Sequence, residues 1–257
     1  MKKWIVFLFL TPKLFALYMG NPSAPEMIDQ GFFFSKENWF AAKVGYQRDW
    51  VFDRNMRAVS KVSGRMDDFD VISDQGVLTI NLINRIEIFG SAGAARFHAM
   101  HRPVAGACCK YESHDQFTWG IGGRALLFSW KGASFGIEGG YQKAHPTLKW
   151  ITLNGAPITP RASSELSVHE WQVGLGVSYQ VDLFTPYLGA KYSNAGASFK
   201  NLPSEFLPIG PYFKIKNRRK FGMVIGTTLS NGNRFAATVE TRLIDEQSIT
   251  LAAEVKF

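Results

Sequence analysis

Twelve polar side chains recur at alternating positions along this sequence: Lys43, Gln47, Asp49, Arg124, Glu138, Glu170, Gln172, Lys191, Glu240, Arg242, Glu254 and Lys256. They carry both signs of charge and often have glycine beside them. Such a set suits a wet lumen, where side chains replace part of a solute's hydration and fixed charges set ion preference. Permeation of that kind needs no nucleophile and no metal. Glu240 and Arg242 lie two apart, as do Glu254 and Lys256, so each pair shares one face of a strand. The alternative is that these pairs bond each other and plug a narrow barrel.

Residue types for acid–base chemistry are present but badly spaced. His114 precedes Asp115 and His169 precedes Glu170, yet adjacent residues on a strand face opposite ways, so neither pair is a ready dyad. A hydrolase is therefore the weakest reading, and the chain is expected not to be an enzyme. His98, His101, His114, His145 and His169 fall near outer strand ends or loops, and three of them flank Cys108 and Cys109. Their spacing matches no zinc motif, so no metal or cofactor is expected. Gly120 to Gly123 lies inside a strand and lacks the following helix of a dinucleotide loop. Lys214, Lys216, Arg218, Arg219 and Lys220 sit at the base of an outer loop, either to grip lipopolysaccharide phosphate or funnel anions, or as ordinary solvated charge.

The two cysteines are adjacent, and neighbours rarely bond each other because the small ring strains the peptide between them. An oxidising compartment would favour cross-links from Cys108 or Cys109 to other envelope proteins; two unpaired loop thiols are the alternative.

What must position the polar set is a run of strands. From Trp39 onward apolar and polar residues alternate with period two. In the last run Ile249, Leu251, Ala253, Val255 and Phe257 share one face, while Ser248, Thr250, Glu254 and Lys256 share the other. Similar runs at about 39–53, 75–84, 86–99, 116–130, 133–150, 168–181, 185–199, 218–230 and 235–243 predict ten strands. Connections near 85, 131, 183 and 231 are short, those at 54–74, 100–115, 151–167 and 200–217 are long, and the one at 245 is the single short outer loop. Strict alternation of short and long predicts an all-β, antiparallel transmembrane barrel with short periplasmic turns and longer outer loops. Weak alternation in 58–73 and 212–217 leaves twelve or more strands as the alternative. Trp39 and Trp50 are eleven residues apart, as are Trp119 and Trp130, about the length of a tilted membrane strand. A soluble lipocalin-like barrel is the competing fold, with an apolar inside and a polar outside.

Residues 1–16 read as a cleavable signal peptide, with Lys2 and Lys3 before the apolar run Trp4 to Leu10. The formal charge of +8 includes Lys2, Lys3 and Lys13, all in that leader, so the remaining excess is modest. An exported chain with no recognition helix and no basic tail points to outer-membrane lipid and lipopolysaccharide as partners rather than nucleic acid. Residues 17–38 are expected to form a periplasmic N-terminal extension, and 39–257 the barrel. Phe257 ends the chain on the apolar face, like the signal by which outer-membrane barrels are recognised by the insertion machinery.

Longer stretches resemble one family. Gly20 to Gly31, Val44 to Arg54, Ile80 to Ala94, Phe117 to Phe128, His169 to Ser193 and Ile225 to Gln247 are similar in order to the major outer membrane porins of chlamydiae. The resemblance implies a cell-outer-membrane porin that passes small hydrophilic solutes or ions, with a structural share in a disulfide-stiffened envelope. This sequence is shorter in its outer loops and holds only two cysteines where the family is cysteine-rich, as a divergent relative would be. A structural or adhesin-like surface barrel with a plugged lumen is the alternative.

Overall fold

The computed structural model describes residues 17–28, 39–60, 64–203, 211–232 and 234–257; the signal peptide expected at 1–16 and residues 29–38 of the expected extension lie outside the described residues. One short helix, α1 (Ala24–Met27), precedes fifteen antiparallel strands. These are β1 (Phe40–Arg54), β2 (Met56–Ala58), β3 (Arg65–Leu82), β4 (Ile86–Arg102), β5 (Cys109–Ser113), β6 (Gln116–Trp130), β7 (Ala133–Ala144) and β8 (Leu148–Leu153). There follow β9 (Ala156–Ile158), β10 (Glu165–Tyr179), β11 (Phe184–Lys200), β12 (Phe213–Asn217), β13 (Phe221–Ser230), β14 (Phe235–Leu243) and β15 (Glu246–Lys256).

Ten strands close the wall in the order β1, β3, β4, β6, β7, β10, β11, β13, β14, β15, and β15 returns to β1 with Lys256 opposite Lys43. Closure leaves the wall no free edge, as a lipid environment demands. The twelve-strand alternative does not hold. Alternation in 58–73 continues β3 outward to Arg65, while 212–217 forms β12, which pairs with β11 and β2 above the wall. The run 133–150 is not one strand either: Pro146, which has no N–H and restricts the residue before it, separates β7 from β8. Tight turns at one end use left-handed residues, Ile83 and Asn84 at φ 50 and 52 and Lys131 and Gly132 at φ 47 and 85, the geometry of two-residue hairpins.

The apolar face points outward. Val44, Leu78, Ile121, Leu175, Val239 and Leu251 stand out from the wall with 44–58% of their surface exposed. Aromatic residues rim this band. Trp39, Trp130, Tyr179, Phe184 and Phe235 mark the periplasmic end, and Trp119, Tyr141, Trp171, Tyr192 and Phe221 the outer end. Eleven residues at about 3.4 Å each, tilted by about 45°, span roughly 26 Å, the height of a membrane barrel's apolar belt.

Above the belt the outer connections add a small lobe. Strands β5, β8 and β9 extend the sheet from β4, and β12 and β2 extend it from β11. Inward residues of both flanks meet there in one apolar core that includes Phe69, Phe97, Cys109, Tyr111, Ile151, Leu166, Phe199, Phe213 and Ile215. Phe199 and Phe213 stack at 4.4 Å, and His101 stacks on Phe213 at 4.6 Å.

Leu175 lies midway between Trp171 and Tyr179 on the lipid side of β10. Leu175→Arg should destabilise the barrel by about 2–4 kcal/mol in urea titrations from phospholipid vesicles. A neutral effect would mean that this face is not in hydrocarbon.

Candidate functional site

Inward positions on successive strands carry the polar set in two clusters. Lys43, Asp49, Arg124, Glu138, Glu170, Gln172, Lys191, Glu240, Arg242 and Lys256 all point into the barrel and are buried. Gln47 and Glu254 occupy the same inward rows and are partly exposed. Arg242 is the hub of the outer cluster: it meets Asp49 at 3.0 Å, Glu240 at 3.3 Å and Glu246 at 2.7 Å, and donates to Ser248 and Thr250. Lys191 joins through Glu246 at 2.6 Å and Asp245 at 3.1 Å. Arg54 bonds Glu170 with both ends of its guanidinium fork. The inner cluster sets Lys43 against Glu87 at 2.6 Å and Glu254 at 3.5 Å, while Arg124 reaches Glu87 at 3.0 Å and Glu138 at 3.3 Å.

Of the two like-faced pairs, Glu240 and Arg242 bond each other, whereas Lys256 donates to the backbone oxygen of Ile28 at 2.7 Å. Four members had not stood out in the sequence. Glu87 alternates correctly with inward Phe89 and was legible by period alone. Arg54 turns inward because β1 bulges between Val51 and Asp53. Asp245 and Glu246, read as a tight outer connection, dip into the barrel and are fully buried, and Ile244 takes φ 84 at the bend.

Residues 17–28 belong to the segment expected as a periplasmic extension, and Leu17 to Ile28 occupy the lumen's periplasmic half. Met19 and Gly20 donate their backbone N–H groups to Glu240 at 3.1 and 2.8 Å, and Tyr187 donates its hydroxyl to the same carboxylate at 2.8 Å. Asn21 donates to Thr185 and Thr228, Arg124 to the Met19 oxygen, Lys43 to the Ala24 oxygen and Asn81 to the Pro25 oxygen. The wall makes room with glycine. A Cβ on Gly174, Gly176 or Gly189 would come within 2.5–2.9 Å of Met19, and one on Gly136 within 3.0 Å of the Pro22 oxygen. Between segment and wall remains a cavity of about 60 Å³ lined by Tyr18, Gln47, Gln75, Phe89 and Glu254, room for a water or two.

The interior is thus filled in three tiers: the N-terminal segment, the ion pairs, and the apolar core of the outer lobe. Cys109 belongs to that core, and burial pushes its thiol up to about 11; Cys108 is half-exposed, and neither is bonded. Asp115 pairs with exposed Arg96 at 2.7 Å and Glu170 with Arg54, so both acids that follow histidines are engaged. Among the described residues the one group spaced to hold a metal is Asp68, Asp70 and His98, whose ligand atoms lie within 4.8 Å of one another on the outer lobe. His98 bonds Asp70 at 3.2 Å, which raises its pKa. Burial and the hydrogen bond with Asp70 raise Asp68 to about 6. The cysteines take no part in it.

The family model described as Chlamydia major outer membrane protein matches residues 154–203 and 211–257. The major outer membrane porin of serovar F from Chlamydia trachomatis is 22% identical over 391 aligned positions, covering 100% of this chain and 99% of that protein. The major outer membrane porin of Chlamydophila psittaci is 22% identical over 381 positions, with 94% and 95% covered. Among solved structures, an outer membrane channel from Pseudomonas putida F1 is 9% identical at TM-score 0.44 over 90% of this chain and 100% of that one. The outer membrane protease OmpT from Escherichia coli is 10% identical at TM-score 0.40 over 86% and 97%. The 391-position alignments set long gaps opposite this chain of 257 residues. The chain is similar over its whole length to the chlamydial major outer membrane porins, with shorter connections, and is a ten-stranded barrel of the outer membrane.

Proposed function

We propose that the protein is a porin-like barrel held closed at rest, which forms part of the envelope wall and passes small hydrophilic solutes or ions only when its lumen contents move. The observation that carries this reading is the N-terminal segment tied across the lumen by Glu240, Arg124 and Lys43. A ten-stranded barrel is narrow, and its own side chains suffice to fill it. Opening therefore means withdrawing Leu17–Ile28 and parting the ion pairs rather than widening the wall. Solute preference would then rest on the inward charges. Cys108, as the half-exposed thiol, is the one suited to cross-link with other envelope proteins. No catalytic role is part of this proposal.

A second reading is favoured by the apolar outer core: with Phe199, Phe213 and Tyr111 packed above the charges, the barrel stays shut and serves as a structural or adhesin-like surface element. Planar-bilayer recordings separate the two. The resting-closed porin should show long silence with brief small openings, whose ion preference changes on Lys191→Glu. Gly189→Leu, which takes Met19's place, should lengthen the openings. A steadily open, large conductance in the unaltered protein would contradict both readings, and silence in every variant would leave the structural one.

Removing the hub of the ion pairs leaves Asp49 and Glu246 short of a buried counter-charge. Arg242→Ala should therefore cost about 3–5 kcal/mol, read as a lower urea midpoint and loss of heat-modifiable mobility at a lower temperature.

A further inference from the structure

On the outer lobe, just above the aromatic rim, four strands align a second set of charges that the lumen does not use. Pairing places Lys143 of β7 opposite His169 of β10, His169 opposite Gly196 of β11, and Gly196 opposite Lys216 of β12. The next outward row runs through Ser167, Ser198 and Lys214 in the same register, with His145 beyond Lys143 on the same side as Ser167. All these side chains line one groove of about 600 Å³. Its floor is small and polar, with Ser167, Gly196 and Ser198 buried, and its two banks are basic. Three strand intervals separate the banks, roughly 14 Å.

Among the described residues Lys143, Lys214 and Lys216 form no ion pair, whereas Lys200 at the far edge is matched by Glu165 at 2.7 Å. His145 is held below its ordinary value, by burial first and then by the charge of Lys143, as expected where the local potential is positive. The groove's height selects its ligand. The row directly below Lys143 and His169 is Tyr141 and Trp171, with Trp171 packed on Tyr192 at 5.6 Å and Tyr192 on Phe221 at 5.1 Å. Such aromatic rings sit at the interface between acyl chains and headgroups. Side chains one row higher, about 7 Å along the strand, stand at the level of headgroup phosphates.

We propose that this groove binds the phosphorylated sugar headgroup of an outer-leaflet glycolipid, with phosphates gripped by Lys143 on one bank and by Lys214 and Lys216 on the other, and the sugar resting on the serine and glycine floor. A soluble polyanion would meet the same charges but gain nothing from the aromatic rim below.

Refolded full-length protein in detergent micelles should bind bisphosphorylated lipid A at least tenfold more tightly than lipid A stripped of both phosphates, measured by native mass spectrometry. Lys143→Glu/Lys216→Glu should erase that difference and Lys143→Gln/Lys216→Gln reduce it, while Lys110→Glu, an exposed lysine on β5, should keep it. Heat-modifiable mobility establishes that each variant is folded. Equal binding of the two lipids, a Lys110→Glu loss as large as the groove variants', or tighter binding of a sulfated oligosaccharide or inorganic phosphate than of lipid A would each overturn the proposal.

Discussion

A charged side chain that points into a narrow barrel has little water to turn to, and that constraint organises this protein. Hydrocarbon outside the wall drives most polar residues of the alternating strands inward. Ten strands enclose too little volume to hydrate them as bulk solvent would. Desolvation of that kind is tolerated only where each charge finds counter-charges and hydrogen bonds. Arg242 meets three carboxylates, Arg124 two, and Glu240 receives two backbone N–H groups and a phenol besides Arg242.

The same requirement explains why the short loop at Asp245 turns inward and why the N-terminal segment is seated where it is. Glu240 needs donors that Arg242, shared with Asp49 and Glu246, does not fully supply, and the Met19 and Gly20 amides provide them. The wall is cut to receive that segment: where Gln172 and Glu170 fill the lumen higher on β10, Gly174 and Gly176 leave it empty. Higher still the inward residues turn apolar, from Val168 and Leu166 on β10 to Ala197 and Phe199 on β11, since there the barrel gives way to a packed lobe that excludes water.

An antiparallel barrel with one apolar and one polar face was legible in a period of two sustained over a belt of fixed height; the period left ten and twelve strands both open, and it was the charge on the polar face, not the alternation, that turned that face inward. Each of the twelve polar positions falls on an inward row for that reason alone. What period could not convey was occupancy. Nothing in residues 17–28 alternates, so their place in the lumen rests on contacts with Glu240, Arg124 and Lys43 that are separated from them by up to 221 residues. Gly174, Gly176 and Gly189 pass for ordinary sheet glycines until Met19 is set against them. Arg54 was hidden by a bulge, which reverses the alternation, and β3 looked shorter than it is because Asp67, Asp68 and Asp70 interrupt its outer end above the membrane, where lipid no longer imposes an apolar face. The outer core was missed because half of it, Cys109, Tyr111, Ile151, Phe213 and Ile215 included, comes from connections, whose strands form only when β4 and β11 supply an edge to pair with.

The filled lumen is tested most directly by proximity. With methionine methyl groups isotopically labelled and the protein in lipid nanodiscs, nuclear Overhauser cross-peaks should join the Met19 methyl to the α-protons of Gly176 and Gly189. A Met19 methyl with the sharp, averaged signal of a free chain and no cross-peak to either glycine would contradict it.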